Sequence, residues 1–289
     1  VPFAGSQAAL GALRTRLAAL ELRPGDTLLV VDNTPGPDRT PPEPGAARVL
    51  RAAEHTSPGF ARNRGAERGR AEWLVFLDAD ADPPADLLNR YFDPPPGART
   101  ALIGGGVRDE PVPPDAPAAA RYAYLRGVMS QQRTFDFGEW GYPKSANVAC
   151  RRVAFEQIGG FREDIRAAED ADLTYRLKAA GWEVERREHA AIVHLSRPTI
   201  RGLISQQLLW GAGGAWIARA YPGSLQLARG RGLLRWGVSE TAKGLLAPLR
   251  RPSRDAMIYA LLRPLEALAW ELGRLRSNER PPERRGRRR

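Results

Sequence analysis

Residues 73–77, Trp-Leu-Val-Phe-Leu, run straight into three alternating carboxylates, Asp78, Asp80 and Asp82, with no turn residue before the first acid. Five consecutive apolar residues predict a strand buried on both faces, the kind found in parallel sheets covered by helices. Like charges at the end of such a strand repel one another unless water or a cation stands among them. The stretch admits two readings: a solvated loop end, or a site built around something positive.

The flanking pattern supports an α/β fold. Ser6 can cap an amphipathic helix over 6–20, with Leu10, Leu13, Leu17 and Leu20 on one face and Pro24-Gly25 ending it. A short apolar run at 27–31 then ends at Asp32-Asn33. The Pro-rich stretch 35–45 reads as loop, 48–50 as a short strand, 60–70 as a helix and 73–77 as a fully buried strand. Pro83-Pro84 opens a helix through Tyr91, with Asp82 at its start, and 101–104 is a further strand. This alternation predicts a mixed, mostly parallel sheet with helices on both faces.

Beyond residue 108 the pattern changes. A loop leads to a helix over 118–132, an aromatic and Gly-rich stretch over 135–147, a strand at 148–151 and a helix at 152–158 stopped by Gly159-Gly160. A helix over 168–180 stops at Gly181 and gives way to strands at 182–186 and 190–193. From Thr199 the chain reads as helical, over 199–220, 233–247 and 255–275. In the last of these, Leu261, Leu262, Leu265, Leu268 and Leu272 form a stripe. Such a stripe either packs on the parent domain or lies on a bilayer surface. The expected organisation is a domain over 1–220, split at 108 into two halves, a helical extension over 221–275 and a basic tail over 276–289.

Composition narrows the function classes. A chain of 289 residues can bury a sizeable core. One cysteine, Cys150, excludes an intramolecular disulfide framework and points to a reducing, cytoplasmic setting. His55, His189 and His194 are too scattered for a His-rich metal site. No run approaches the roughly 18 apolar residues of a membrane span. Without an initiator Met or a charged n-region, residue 1 is expected neither to start the gene product nor to open a secretory signal. Of 44 basic residues 41 are Arg, and residues 274–289 hold eight Arg against two Glu, over half of the net charge of +11. That tail reads as a solvated terminus or as one with affinity for polyanions or a membrane's cytoplasmic face.

In α/β sheets ligands bind beyond the carboxyl ends of the strands. Two acidic ends fall there, Asp32-Asn33 and Asp78-Ala79-Asp80. Carboxylates are hard oxygen ligands, so Asp-x-Asp at a strand end suits Mg²⁺ or Mn²⁺ holding a diphosphate. Alternation puts Asp78 and Asp80 on one side only where the chain stays extended. Taken alone, Asp-x-Asp is more often a cap or a solvated turn than a metal site.

Several motifs in order now carry a resemblance. "LLVVDN", "GFARNRGAERGRAEWLVFLDADADP", "SANVACRRVAFEQIGGFRED", "AAEDADLTYRLKAAGWEVE" and "IVHLSR" resemble family 2 glycosyltransferases of the GT-A fold, over residues 1 to about 220. The resemblance implies an inverting, metal-dependent transfer of one sugar, a hexose or deoxyhexose, from a UDP-, GDP- or dTDP-sugar to a hydroxyl acceptor. It implies a donor site drawn from Pro2, Phe3, Asp32, Asn33, Arg62, Arg64, Asp78, Ala79, Asp80 and Asn147, with Asp32 toward the base. It implies Mn²⁺ or Mg²⁺ held by Asp80, Asp78 and His194. On the acceptor side it implies Asp170 as general base, Glu169 as its neighbour, and Trp140 and Tyr142 as platforms for sugar rings. A hydroxyl is a poor nucleophile, and a positioned carboxylate takes its proton as it attacks the anomeric carbon. Each residue also has a plainer reading: surface arginines, a turn amide, a structural His, or acids in a helix's first turn.

Three features depart from the family pattern. Only Val-Pro-Phe remains of the first strand, Asn33 replaces the second acid after Asp32, and Leu209 stands where processive polymerases have Arg in Gln-x-x-Arg-Trp. The last point favours single-sugar transfer. Two alternatives stand beside the main reading: a catalytically inactive sugar-nucleotide binder, and a nucleic-acid binder driven by the tail and the Arg-Gly repeat at 229–232. The acidic strand ends speak against nucleic acid as a partner, because they repel phosphate.

Overall fold

The computed structural model describes residues 1–37, 47–195, 199–225, 239, 242 and 253–280. Most of the expected loop at 35–45 and helix at 233–247, the 229–232 repeat, Ser196-Arg197 and the distal tail lie outside these residues. The elements in chain order are β1 (Pro2–Phe3), α1 (Gln7–Leu17), β2 (Leu29–Asp32), β3 (Arg48–Arg51), α2 (Pro58–Ala66), β4 (Trp73–Leu77), β5 (Ala81–Asp82) and α3 (Leu87–Phe92). They continue with β6 (Thr100–Asp109), α4 (Ala118–Arg126), α5 (Gln132–Phe135), a 3₁₀ turn at Gly138–Trp140, β7 (Asn147–Arg151) and α6 (Arg152–Gln157). The last are α7 (Glu169–Ala179), β8 (Glu183–His194), α8 (Ile200–Ala220) and α9 (Arg254–Arg274).

The described residues fall into two compact units, one of residues 1–161 and 170–199, the other of 162–169 and the chain from 200 onward. The first is a mixed α/β unit. Strands β1, β2 and β3 form a parallel sheet, and a second sheet runs β4-β7-β6-β8-β5. In the second sheet β6 is parallel to β8, while β4/β7, β6/β7 and β5/β8 are antiparallel.

The sequence explains most of these elements. Ser6 Oγ accepts from the Ala9 amide at 3.2 Å, and Leu10, Leu13 and Leu17 are buried along the expected face of α1. Ser57 caps α2 in the same way, with Pro58 in its first turn. Phe76, Phe155 and Phe161 meet edge-on or tilted, with ring centroids 5.2–5.6 Å apart, and knit β4 to α6 and the Gly159-Gly160 turn.

Several expectations need correction. Strand β4 is only half buried over Trp73–Val75. A cavity of about 680 Å³ separates it from β2, lined by Val1, Leu29, Val31, Leu74 and Phe76. No ladder among the described residues joins β1 or β2 to β4. The expected strand at 101–104 extends to Asp109, because Gly104-Gly105-Gly106 is not a turn. A Cβ on Gly105 would sit 2.3–2.4 Å from Asn147 Nδ2, the Ala190 carbonyl and Tyr91 Oη, so glycine admits a close crossing inside the sheet. The two strands expected at 182–186 and 190–193 are one, β8. The helix expected over 118–132 stops at Gly127, whose φ of 55° ends α4 in a left-handed cap.

Among its described residues, the second unit pairs helices α8 and α9 and includes the segment 162–169. Cβ atoms on Gly211 and Gly273 would lie 2.0 and 2.2 Å from the carbonyls of Trp270 and Leu208, so the two antiparallel helices cross backbone to backbone. Asn278 fixes the connecting segment, donating to the Ala167 carbonyl at 2.9 Å and accepting from its amide at 3.1 Å.

Candidate active site

Two strand ends deliver the central cluster. After Leu77 the chain turns, the Ala81 amide bonding the Asp78 carbonyl at 3.1 Å, and Ala81-Asp82 then pairs with Val193-His194. Asp78 and Asp80 are therefore brought together by a tight turn rather than by an extended strand. The same pairing sets His194 beside them, with Nε2 3.1 Å from Asp80 Oδ1. One ligand atom from each of Asp78, Asp80 and His194 lies within 4.8 Å of the others. Asp82 is no helix cap: it belongs to β5, while α3 begins at Leu87 behind Asp86.

Charges of both signs meet in this cluster. Burial lowers the His194 pKa, but the hydrogen bond it donates to Asp80 and the charges of Asp80, Asp78 and Asp109 outweigh it, for a net rise. Arg62 supplies part of the compensation, donating from Nη2 to Asp78 Oδ1 at 2.6 Å while its guanidinium lies over the Phe161 ring at 5.3 Å. Asn63 holds α2 in place by donating to the Phe161 carbonyl and accepting from its amide, both at 2.9 Å. Two carboxylates and an imidazole are the donor set of a hard-to-borderline divalent ion, and Mn²⁺ or Mg²⁺ fits these residues.

The other expected donor-site residues are spread differently. Asp32 ends β2 almost fully buried, accepts from the Thr34 amide at 3.0 Å and hydroxyl at 2.5 Å, and faces Arg51 at 3.6 Å. Asn33 donates to the Ser57 and His55 carbonyls and pins the α2 loop. Pro2 and Phe3 are buried in β1, and the Ala79 carbonyl accepts from Arg16 at 2.8 Å. Arg64 pairs with Glu67 and stacks on Phe60. Asn147 is a correction: it is 0% exposed, accepting from Tyr91 Oη at 2.7 Å and donating to the Gly106 and Ala190 carbonyls at 2.9 and 2.7 Å. With oxygen and nitrogen both engaged in the core, it lines no sugar pocket.

Helix α7 carries the acceptor-side candidates. Ala168, just before it, has φ of 67°, a left-handed conformation costly for a residue with a Cβ. Glu169 and Asp170 follow half-exposed in the first turn, and Asp170 Oδ1 accepts from the Ala171 amide at 2.8 Å. Asp172 is instead buried and clamped by Arg176 at 2.6 and 2.8 Å, a structural pair. Trp140 and Tyr142 pack edge-on against Tyr175 of the same helix, at 5.0 and 6.1 Å between centroids. Tyr175 Oη also donates to the Trp140 carbonyl at 2.9 Å. The aromatic loop is thus tied to the helix that bears Asp170.

Two charged residues escaped the sequence reading. Lys144 Nζ donates to the Val128 and Ser130 carbonyls at 2.9 and 3.1 Å. Burial lowers its pKa to about 8, against the opposing pull of Asp170 and Asp109. Asp109 closes β6 directly across from His194 and accepts from the Met129 amide at 3.2 Å. Burial raises its pKa, partly offset by that amide and by His194, Lys144 and Arg133. The acid following the glycine run was the available signal for Asp109.

Comparison with known proteins decides the family. A family model described as glycosyltransferase like family 2 matches residues 40–213, more than half of the chain. The chain belongs to glycosyltransferase family 2. Among curated relatives, a pre-mycofactocin glycosyltransferase of Mycobacterium tuberculosis is 27% identical over 203 residues, covering 68% of this chain and 43% of the relative. The succinoglycan biosynthesis protein ExoA of Rhizobium meliloti is 28% identical over 163 residues, 54% of this chain and 49% of the relative. The chain thus spans half or less of the length of these relatives. A mannosyltransferase from Pyrobaculum calidifontis, solved with GDP-mannose and Mn²⁺, superposes with a TM-score of 0.61 at 14% identity, over 95% of this chain and 85% of that one. That likeness establishes the GT-A fold.

Proposed function

We propose that this glycosyltransferase domain moves one sugar from a nucleoside diphosphate sugar to an acceptor hydroxyl with inversion, in a reaction that needs Mn²⁺ or Mg²⁺. The observation that carries the reading is the gathering of Asp78, Asp80 and His194 within 4.8 Å. Asp80 and Asp78 would hold the ion with His194, and Arg62 keeps the Asp78 carboxylate turned toward the cluster. When bound, the ion offsets charge growing on the departing diphosphate.

The residues of this chain do the remaining work. Asp32, closing β2, contacts the base of the donor. Asp170 accepts the proton of the acceptor hydroxyl as its oxygen attacks the anomeric carbon, and Glu169 helps to orient that acceptor. Trp140 and Tyr142 offer ring faces to an acceptor sugar, whether the acceptor is a glycan, a lipid-linked sugar or a small molecule. A single displacement inverts the anomeric centre, so no nucleophilic side chain is required.

The test is a thermal-shift panel of UDP-, GDP- and dTDP-sugars with and without Mn²⁺, followed by transfer assays with the donor that stabilises. Stabilisation by one nucleotide class only with metal, lost in Asp80→Ala, is the expected result. Metal-dependent donor binding without transfer or donor hydrolysis would favour an inactive sugar-nucleotide binder. Metal-independent stabilisation of the Asp80→Ala variant would overturn the metal assignment.

A further inference from the structure

Helix α9 presents its large apolar residues outward. Met257, Leu261, Leu265, Leu268, Leu272 and Leu275 are 57, 66, 43, 56, 48 and 85% exposed. They recur at steps of three or four residues, so they share one face over about 27 Å of helix. The opposite face buries mostly smaller groups, among them Ala260, Ala267, Ala269 and Gly273. Gly211 and Gly273 bring α8 and α9 backbone to backbone, so the two helices close through small residues and leave the leucines of the stripe other than Leu262 outside. A surface helix of a globular unit ordinarily does the reverse, and a continuous exposed apolar band marks a contact surface.

The charges around the band choose its occupant. Arg254 and Arg276 are exposed at its two ends, whereas the acids of α9 are withdrawn, Glu266 buried and Asp255 and Glu271 half-buried. Past residue 275 the sequence holds seven Arg against Glu279 and Glu283. A second copy of the chain would bring like charges together along this seam, and Pro264 interrupts it. An apolar face flanked by arginine matches a bilayer with anionic headgroups. None of the described helices is long and apolar enough to cross a membrane, so the contact is one of a helix lying in the interface.

We propose that the outer face of α9 is a docking surface for an anionic lipid bilayer, with the leucines in the acyl boundary and the arginines among the headgroups. The inference stands apart from the chemistry at Asp78 and Asp80, and its readout is not activity. The full chain is sedimented with vesicles of phosphatidylcholine alone or with about 30% phosphatidylglycerol, at low and high salt. Binding is expected to require the anionic lipid, to weaken with salt, and to fall at least about tenfold in Leu265→Glu/Leu268→Glu, whose melting temperature matches the parent. Retained binding by that variant would reassign the affinity to the basic tail and overturn the proposal. A lowered melting temperature would show that this chain itself covers the face, and a dimer dissolved by the substitutions would assign it to a second copy. Either result, or no binding of the parent to anionic vesicles, also defeats it.

Discussion

Arg62 and Asp78 form an ion pair of 2.6 Å in which the guanidinium side chain is 2% exposed and the carboxylate side chain 28%. The pair joins α2 to the turn that follows β4, so one residue of the candidate cation site is oriented by the helix that precedes its own strand. Removing the guanidinium leaves a half-buried carboxylate beside Asp80 with less compensation. Arg62→Met is expected to lower stability by about 2 kcal/mol without metal, less than a fully buried pair would lose because Asp78 reaches solvent. Saturating Mn²⁺ should restore part of that loss. Denaturant midpoints with and without Mn²⁺ measure both effects, and equal losses in the two conditions would detach Arg62 from the cation site.

With His194 as a proposed ligand, metal affinity should depend on pH. Its folded-state pKa is raised, so its contribution to metal-free stability is complete below the unfolded value near 6.5 and is lost as pH rises through the folded pKa. A metal needs the neutral imidazole, so Mn²⁺ must displace a proton below that pKa. Affinity should rise up to about tenfold per pH unit there and level off above it. In His194→Gln the His-linked part of that slope should vanish. Calorimetric titration between pH 5.5 and 8.5 reads it, and a variant with the parent's slope would remove His194 from the ligand set.

How far the site was legible depended on whether the signal was local. Asp78, Asp80 and His194 stood out because each sits at or just past the end of an apolar run, whereas Asp170 was drawn from the family motif, its local pattern being that of acids in a helix's first turn. The right-hand limits of the elements were less legible, because Gly104-Gly105-Gly106 reads as a turn unless the crossing of Tyr91, Asn147 and Ala190 is known. Asn147 carried the pattern of a ligand-lining amide, yet three long-range hydrogen bonds make it part of the core. Lys144 gave no local sign because its partners lie elsewhere along the chain, and Asp109 gave only that of an acid after a glycine run.

Asp170→Asn tests the proposed base with little change in shape. The amide cannot accept the acceptor's proton, so kcat should fall by about 10²–10⁴ while donor KM and melting temperature hold. Asp172→Asn, which breaks the buried pair with Arg176, should instead lower the melting temperature with kcat per folded molecule unchanged. Steady-state kinetics beside thermal melts separate the two, and exchanged phenotypes would transfer the base to Asp172.

Lys144 offers a pH signature of its own. Its ammonium is disfavoured in the fold, with pKa about 8 against 10.5 when unfolded, so the unfolded state holds more protons between those values. The cost is present in full below pH 8 and fades as pH rises toward 10.5. Relative to Lys144→Met, the parent should therefore gain stability across that window, while the variant loses the two carbonyl bonds at every pH. A flat difference in melting temperature from pH 7.5 to 10.5 would contradict the burial of this charge.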